Sequence, residues 1–324
     1  MSILLHNFCY DLPGAVPENE FEYRAENHMQ FWSSVFHSDF FIQIFSYWGH
    51  LGVPVFVFLS GYGLVKKYDT QTNVGWVNFL FSHFKKLFIP LTIATIVINI
   101  ILRITMKHWV ESWGHFWLQT TMLLNLSTTP TTHIPGAYWY FGMALQLYAL
   151  YRLLVYNHSS KLIIIALVIC ETIMITLDHE SQTLVWMNHN AFGWLLPFSI
   201  GILAARHCPK HTIPLTILGG VFLASVLFII AASFTYYSWL LIPGIIIITA
   251  VSFLKLLSPR ILDIAATIGG VSFPIYVIHP IIRMGTMPLV EVWGTFCTLE
   301  LYVFLTLFFS FLFLSKNTLR FRKK

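Results

Sequence analysis

Four ionisable side chains interrupt apolar stretches of this 324-residue chain and could take part in proton chemistry. They are His6 in MSILLHNFCY, His50 at the start of the GHLGVPVFVFLSGYGL segment, Glu171 in KLIIIALVICETIMITL and His279 in GGVSFPIYVIHPII. An ionisable group in an apolar segment is costly unless it has a partner or faces water. A neutral imidazole can also take a proton from a weak nucleophile near neutral pH. These residues are therefore the first candidates for a general base or a proton relay.

Among the histidines, His6 is the first choice for a general base. The helix that carries it is expected to end where Pro13 and Gly14 break it, which places the imidazole within about two turns of that end. His50 adjoins a glycine-rich segment and is the second choice. His279 lies between aromatic and proline residues and is assigned a structural, hydrogen-bonding role. For His6, a histidine that only caps or hydrogen-bonds a neighbouring helix is the alternative interpretation.

Basic residues gather at the ends of the apolar segments and could bind phosphate groups. Lysine can bind a phosphate group through its point charge, and arginine can bind it through the planar fork of its guanidinium group. Adjacent lysines at a helix start more commonly anchor the helix at lipid phosphates, so both interpretations stay open. The candidates are Lys66, Lys67, Lys85, Lys86 and Arg152.

Composition places the chain in a membrane. Hydrophobic residues make up 56% of it, charged residues 10%, and the mean hydropathy is +0.70, outside the range of soluble globular domains. A helix of about 20 residues crosses the roughly 30 Å of hydrocarbon in a bilayer. Apolar runs of this kind predict an all-α, polytopic transmembrane helical bundle of about ten helices in a single domain, 1–324. The nine predicted full spans lie near 42–65, 87–105, 137–156, 161–177, 191–206, 213–233, 236–257, 268–287 and 299–314.

The apolar start of the chain, residues 1–10, is too short to cross a bilayer. It lacks a basic leader and a small-residue cleavage site, so it does not read as a signal peptide. We interpret it as the outer half of a tenth helix that is truncated in this sequence. Because a crossing helix needs about 20 residues, we expect the native reading frame to extend upstream of Met1.

The basic residues predict the orientation of the bundle. Fifteen of the 19 Lys and Arg residues fall on one side of the predicted spans, and the positive-inside rule makes that side cytoplasmic. We therefore expect the 66–86 loop and the tail after Lys316 inside, and residues 10–41 and 178–190 outside. The net charge of +5 is thus a topology signal, and nothing in the pattern indicates nucleic-acid binding. The four cysteines show no metal-ligand spacing.

Residues 48–67 are the segment against which the other spans are predicted to pack. Glycines recur there at Gly49, Gly52, Gly61 and Gly63. Small residues let a neighbouring helix or a ligand approach the backbone closely. The segment is therefore either a packing face alone or a packing face that also admits a ligand.

Two polar or short stretches are not predicted to span. Residues 10–41 mix acidic and aromatic side chains, and they could cover an outer cavity and offer aromatic faces to a sugar, or be ordinary interfacial packing. Residues 116–126 are too short to cross and are predicted to lie at the interface or to re-enter, ahead of an outer loop with His133.

Four segments together resemble one protein family. GHLGVPVFVFLSGYGL is similar to its glycine, valine, double-aromatic, Leu-Ser-Gly signature, and FKKLFIP to its basic pair followed by proline. WYFGMALQLY resembles its Trp-aromatic helix that ends in Tyr, and SFPIYVIHP its late helix with Ser, Tyr and His. The family is acyltransferase family 3, bacterial inner-membrane proteins with ten helices. The resemblance covers almost the whole chain in the right order.

The resemblance implies an enzyme that O-acylates an envelope glycan. An acyl group, usually acetyl from cytoplasmic acetyl-CoA, would move to a hydroxyl of a glycan or lipid-linked sugar, with membrane lipid as the surrounding partner. His6 matches the histidine of the family's first helix and would be the catalytic general base. No metal is expected. The phosphates of the acyl donor would be held by Lys85, Lys86, Lys66, Lys67 and Arg152.

The sequence departs from the family pattern at two places. The family carries a basic residue eleven positions before its first-helix histidine, and counted from His6 this residue would lie upstream of Met1. Either the start is assigned too late or the chain is a truncated, impaired member. The double acid that many members carry before a Gln-x-Tyr is replaced by Ala144 and Leu145, so no role for those acids carries over.

Two other functional classes compete with the enzyme. A transporter or flippase of lipid-linked glycans would use His6, Glu171 and His279 as a proton relay. The lack of visible internal repeats and the scarcity of intramembrane acids count against it. A non-catalytic membrane scaffold is the third interpretation. Acyl-CoA-dependent labelling of a glycan by the purified protein separates the enzyme from both.

Overall fold

The computed structural model describes residues 1–106, 112–127, 136–208 and 213–321, with side chains described for all of these except 105–106 and 314–321. His133 therefore lies outside the described residues, as do Lys107 and Lys210, two of the 19 basic residues. The side chains of the predicted cytoplasmic tail after Lys316 do so as well.

Every regular element within these residues is a helix, which confirms the predicted all-α class. Single 3-10 turns at Gly49–Leu51, Leu124–Leu126, Gly136–Tyr138 and Met287–Leu289 join some of the helices. In chain order the helices are α1 (Ser2–Cys9), α2 (Ala25–Ser33), α3 (Phe40–Trp48), α4 (Gly52–Tyr68), α5 (Trp76–Met106), α6 (Trp113–Thr120), α7 (Trp139–Leu154), α8 (Lys161–Thr176), α9 (Gln182–Asn188), α10 (Leu195–His207), α11 (Leu215–Ala232), α12 (Tyr236–Trp239), α13 (Ile242–Leu256), α14 (Pro259–Gly270), α15 (Ser272–Thr286), α16 (Val290–Trp293) and α17 (Thr295–Phe321).

All nine predicted spans coincide with helices, but their lengths differ from the prediction. The predicted span 236–257 is divided between α12 and α13, because Pro243 lies in the first turn of α13, where its missing N–H is tolerated. The span 268–287 is divided at Val271, between α14 and α15. Five stretches of the described chain are long and apolar enough to cross a membrane: Phe40–Tyr68, Trp76–Ile104, Leu215–Ala232, Ser272–Trp293 and Thr295–Phe313.

Helix α1 is short, as predicted, and neighbouring elements hold it on three sides. The hydroxyl of Ser2 donates to a carbonyl of the 3-10 turn before α4 at 2.9 Å. Arg283 of α15 donates to the carbonyl of Asn7 at 2.7 Å, and the hydroxyl of Tyr302 of α17 donates to the carbonyl of Leu4 at 3.2 Å. These contacts fix α1, and with it His6, relative to three other parts of the bundle.

Two glycines allow α1 to lie directly against the start of α4. A methyl group at Gly49 would overlap the side chain of His6 and lie 3.0 Å from its Cα. A methyl group at Gly52 would lie 2.9 Å from Cγ1 of Ile3. The close approach predicted for this glycine-rich segment is therefore confirmed here, and the approaching element is α1.

The same segment packs against α10 further along α4. A methyl group at Gly61 would overlap the carbonyl oxygen of Phe198, and one at Gly201 of α10 would overlap the carbonyl oxygen of Phe58. Backbone therefore contacts backbone in both directions. Gly63 differs, because nothing lies within 4 Å of the position a methyl group would take there.

Residues 10–24 turn the chain back after α1 and pack onto α3. Gly14 takes a φ of +77°, a conformation that glycine adopts without strain. The N–H of Val16 then donates to Oε1 of Gln43 at 2.8 Å, and its carbonyl accepts from the hydroxyl of Ser46 at 2.7 Å. Both bonds fix this segment to α3.

The next part of this segment is held from α2 and α12. Nε1 of Trp239 donates to the carbonyl of Asn19 at 3.0 Å, and Nδ2 of Asn27 donates to Oδ1 of Asn19 at 2.9 Å. Of the two interpretations of this stretch, a cover and interfacial packing, the structure favours a cover that is part of the fold.

The predicted orientation can be tested by cysteine labelling. In a chain whose native cysteines are replaced, we expect Glu180→Cys to react with an impermeant thiol reagent added outside the cell, because residues 178–190 are predicted to face outward. Thr72→Cys should react only after the membrane is permeabilised. Both positions are exposed in the structure. Labelling of position 72 in intact cells would reverse the orientation.

Candidate functional site

A cavity of about 410 Å³ lies beside α1, at the end of the bundle that is predicted to face outward. Its walls come from α1, the 10–24 segment, the start of α4, the start of α7 and α15. Ionisable groups from separate parts of the chain therefore meet in one space. The acidic and basic ones are His6, Asp11, Glu18, Glu20, His50, His189 and Arg283, and the tyrosines are Tyr10 and Tyr276.

His6 has both ring nitrogens next to fixed partners. Nδ1 lies 2.9 Å from the carbonyl oxygen of Phe45, and since a carbonyl can only accept, Nδ1 carries a proton. Nε2 lies 2.7 Å from Oε2 of Glu18. Two lone pairs at that distance would repel each other, so one proton lies between the imidazole and the carboxyl group. His6 and Glu18 thus form one proton-holding pair.

His50 lies beside the same carboxylate. Its Nδ1 is 3.7 Å from Oε2 of Glu18, and the centroids of the His50 and His6 rings are 6.0 Å apart. Nδ1 of His50 is buried and has no hydrogen-bond partner among the described residues. The first and second choices for the general base therefore share one site and one carboxylate.

Glu18 and Glu20 lie outside the candidate spans and differ in charge although they are two residues apart. Burial acts to raise the pKa of Glu18, but the charge of His6 and its hydrogen bond lower it, and the net direction is downward. Burial raises the pKa of Glu20 well above its ordinary value, and the negative charge of Glu18 raises it further. The surroundings therefore favour the ionised form of Glu18 and the protonated form of Glu20.

Aromatic rings form a further part of the wall. Phe21 stacks on His189 with ring centroids 3.8 Å apart and meets Trp139 edge-on at 4.9 Å. Nδ2 of Asn188 donates to the carbonyl of Phe21 at 2.8 Å. Apolar faces with a few polar groups are typical of small-molecule sites.

Buried amides fix the loop that carries His189. Nε2 of Gln146 on α7 donates to Oδ1 of Asn190 at 2.7 Å, and its Oε1 accepts from the N–H of Ala191 at 2.9 Å. Nδ2 of Asn190 donates to the carbonyl of Asn125 at 2.8 Å. Since buried amides are costly when unpaired, this network determines the position of the loop between α9 and α10.

Helix α15 contributes two anchored polar side chains. Arg283, which donates to the backbone of Asn7, also has its Nε 3.2 Å from Oδ2 of Asp11. The hydroxyl of Tyr276 donates to the carbonyl of Ala137. These bonds join α15 to α1 and to the start of α7, so three elements are held together around the cavity.

The other two candidates from apolar segments lie elsewhere. Nδ1 of His279 donates to the carbonyl of Ile275, one turn back, at 3.1 Å, as expected for a structural role. Glu171 lines a separate small cavity that it shares with Glu20. No hydrogen bond between described residues joins His6 to either of them.

The predicted donor-binding residues lie at the opposite end of the bundle. Nζ of Lys66 donates to the carbonyl of Ala205 at 2.9 Å, and Nζ of Lys67 lies 4.8 Å from the centroid of the Tyr68 ring. Lys66 follows Gly49, which lies beside His6, by 17 positions along the 3-10 turn and α4, a distance of about 25 Å at roughly 1.5 Å per residue.

The other three basic residues lie near the same end. Arg152 donates to the carbonyl of Val74 at 2.9 Å and lies 4.5 Å from the centroid of the Tyr156 ring. Lys85 and Lys86 are exposed. At this end Lys66 and Arg152 therefore bind backbone carbonyls, whereas Lys85 and Lys86 lie further along α5, within the candidate span Trp76–Ile104.

Comparison with known proteins identifies the family. A family model described as an acyltransferase domain matches residues 26–315, nearly the whole chain. The chain belongs to acyltransferase family 3. Searches of curated proteins and of solved structures found no match. Together with the long apolar helices, membership makes the protein a multi-pass membrane acyltransferase of the general kind that the sequence resemblance implied.

The matched region of this acyltransferase does not cover the whole site. His50 and the five basic residues lie within the match, whereas His6, Glu18 and Glu20 precede residue 26. Ala144 and Leu145 stand at the two positions where many members carry acids, and neither lines this cavity. Ala144 is buried, and Leu145 lines a different cavity.

Several residues that line the cavity are not predicted as site residues from the sequence. Glu18 and Glu20 were counted only as part of an acidic stretch, His189 was not singled out, and Arg283 was counted as a topology charge. One signal was present: Arg283 is an exception to the positive-inside pattern at the end of an apolar span, and such exceptions need a partner.

The packing of Gly49 against His6 can be tested with alanine. Gly49→Ala should reduce acyl transfer and destabilise the protein by about 1–3 kcal/mol, because the added methyl group overlaps His6 and displaces it from Glu18. Transfer rate and thermal unfolding would be measured together.

Gly63→Ala is the matched control, because the same methyl group meets no atom within 4 Å there. It should keep the transfer rate and be neutral or stabilising, since alanine favours helix by up to about 1 kcal/mol over glycine. Equal transfer rates in both variants and the wild type would show that Gly49 does not position His6.

Proposed function

We propose that the protein moves an acetyl group from acetyl-CoA to a sugar hydroxyl of an envelope glycan or lipid-linked saccharide, at the outer face of a bacterial inner membrane. The observation that carries this proposal is the contact of 2.7 Å between His6 and Glu18 in an outer cavity of about 410 Å³. A hydroxyl acceptor needs a base of this kind, and the chain is already an acyltransferase by family. The basic residues at the other end suit a donor with phosphate groups.

The His6–Glu18 pair would act as the base. A sugar hydroxyl is a weak nucleophile, so removal of its proton as the oxygen attacks the thioester carbonyl carbon lowers the barrier. Because the pair already holds one proton, the hydroxyl proton would be taken up by the pair as a unit. The positive charge of the His6 imidazole and its hydrogen bond favour the ionised form of Glu18, which can accept a proton.

The acceptor would bind against the aromatic part of the cavity. Trp139 and the stacked Phe21 and His189 rings offer flat faces beside the polar groups. Such a wall suits a sugar ring, whose C–H faces are apolar and whose edge carries hydroxyl groups. Several hydroxyls of one sugar can therefore be held while one of them faces the base.

The donor would approach from the predicted cytoplasmic end. The phosphates of coenzyme A would stay near the basic residues at that end, while the thioester extends through the bundle toward His6, about 25 Å from Lys66 along α4. This arrangement leaves the charged part of the donor outside the hydrocarbon, where burial of phosphate would be costly.

The direct test of this function is transfer by the purified protein. With acetyl-CoA labelled in its acetyl group and a glycan acceptor fraction, label should enter the acceptor as an ester that mild alkali releases. Movement of unmodified glycan across a vesicle without label would instead indicate a transporter. The absence of both activities in folded protein would indicate a scaffold.

His6→Ala should reduce this transfer by about 10²–10⁴-fold, the usual contribution of a general base. The wild-type rate should fall at acidic pH as the His6–Glu18 pair takes up a second proton, and the variant should lack this acidic limb. Rates would be measured across pH at equal protein levels in membranes.

His179→Ala is the control for the loss of a histidine, because His179 lies on the same predicted side and is half exposed. It should keep both the rate and the acidic limb. Near wild-type transfer by His6→Ala would rule out His6 as the base and make His50 the residue to test.

Replacing both Lys85 and Lys86 with Gln should raise the acetyl-CoA concentration needed for half-maximal rate more than the acceptor concentration. The reason is that these exposed cations would bind only the donor. Initial rates with each substrate varied in turn would measure the two requirements.

The matched control is Lys255→Gln with Arg260→Gln, which removes two charges from the same predicted side. This double variant should leave the donor requirement unchanged. If the Lys85 and Lys86 variant folds normally and its donor requirement is also unchanged, these lysines are lipid anchors.

A further inference from the structure

Glu20 forms part of the boundary between two cavities. It lines the cavity that contains His6 and Glu18, and it also lines the small cavity that contains Glu171. Its Oε1 is buried and has no hydrogen-bond partner among the described residues. A buried carboxyl oxygen without a partner is costly, which is a reason to look for a ligand atom that would contact it.

The groups that face Glu20 favour its neutral form. Glu18 lies in the same segment, Tyr276 faces it from α15, and Glu171 shares the small cavity from α8. None of these brings a positive charge, whereas Glu18 has His6 and His50 beside it. Two carboxyl groups in one cavity with such different surroundings are typical of an acid and a base in catalysis.

Other donors in the cavity are already committed to the protein. Tyr276 donates to a backbone carbonyl, Arg283 binds Asn7 and Asp11, and Nδ1 of His189 donates to the carbonyl of Val185 at 2.8 Å. Glu20 has no such bond from its buried oxygen. A proton on this carboxyl group is therefore not held by a protein acceptor and can pass to a ligand in the cavity.

We propose that Glu20 is a second catalytic residue, the acid that protonates the thiolate leaving group while the His6–Glu18 pair accepts the hydroxyl proton. This role rests on the function proposed above. It assigns to two carboxyl groups of the same segment, Glu18 and Glu20, the two opposite proton transfers of one reaction.

The proton balance closes within the site. The acceptor oxygen forms a bond to the thioester carbonyl carbon, and its proton passes to the His6–Glu18 pair. The carbon–sulfur bond then breaks, its electron pair stays on sulfur, and the proton of Glu20 passes to that sulfur. A proton from the His6–Glu18 pair restores Glu20, so the products are the ester and the free thiol, with no net proton released.

The test is the Glu20→Gln variant, which keeps the size of the side chain but cannot supply a proton as an acid. We expect transfer from acetyl-CoA to fall by about 10²-fold or more. In the wild type, the rate should fall as pH rises through the raised pKa of Glu20, because its protonated form is the active one. The variant should lack this alkaline limb and keep the acidic limb of the His6–Glu18 pair.

Glu22→Gln is the matched control, since Glu22 lies in the same segment but its carboxylate binds Arg24 at 3.0 Å near the surface. It should keep the rate and both limbs. Infrared spectroscopy adds a measurement independent of activity: the wild type at neutral pH should show a protonated carboxyl band that Glu20→Gln lacks.

The possible outcomes separate the two proposals. If the folded wild type transfers no acetyl group, the proposed function is wrong and the role of Glu20 fails with it. If the wild type is active and Glu20→Gln matches Glu22→Gln in rate and alkaline limb, only the role of Glu20 is wrong. If Glu20→Gln does not fold, absence of any protonated carboxyl band in the wild type still overturns the role.

Discussion

The end of the bundle that contains α1 depends on the burial of a carboxylate next to imidazoles. An unpaired charge inside a protein costs several kcal/mol, so Glu18 is stable there only while His6 and His50 stay beside it. The three residues come from three different elements, which are α1, the irregular segment 10–24 and the 3-10 turn before α4. These elements must therefore stay in contact with one another. The absence of a side chain at Gly49 is what lets the first and third of these come close enough.

The opposite end of the bundle uses its charges differently. Arg206 pairs with Asp69 at 2.6 Å, and the hydroxyl of Tyr151 donates to the same carboxylate at 2.9 Å. Lys66 and Arg152 bind backbone carbonyls, so they stabilise helix ends as well as adding positive charge. The described charges at this end therefore include side chains that bind the protein, such as Arg206, Lys66 and Arg152, and exposed ones, such as Lys67.

The helical content of the fold could be predicted from the sequence because apolar runs of about 20 residues have few other solutions in a membrane. Where helices break was harder to predict, since Pro243 and Val271 interrupt runs that are apolar on both sides. His6 and His50 could be predicted because they lie in or beside apolar segments, where an imidazole is costly unless it has a partner or faces water.

The carboxyl groups of the site could not be predicted in the same way. Glu18 and Glu20 lie in a polar stretch where acids are ordinary, and only the turn at Gly14 and the bonds of Val16 to α3 return them to His6. The position of these two carboxyl groups depends on long-range packing, and the hydrophobic periodicity of the sequence does not show such packing. The same holds for His189, whose position is determined by amide bonds from Gln146 and Asn190 on either side of it in space.

The hydrogen bonds that hold α1 affect which substitutions the protein can accept. Two of its anchors, Arg283 and Tyr302, bind carbonyl oxygens of α1, and every residue type supplies a carbonyl. Substitutions at Leu4 and Asn7 therefore leave these anchors intact, whereas substitutions at Arg283 and Tyr302, nearly 300 positions away, remove them. Among relatives, these two hydrogen bonds should accordingly restrict the residue types at Arg283 and Tyr302, whereas buried Leu4 should be restricted by packing alone.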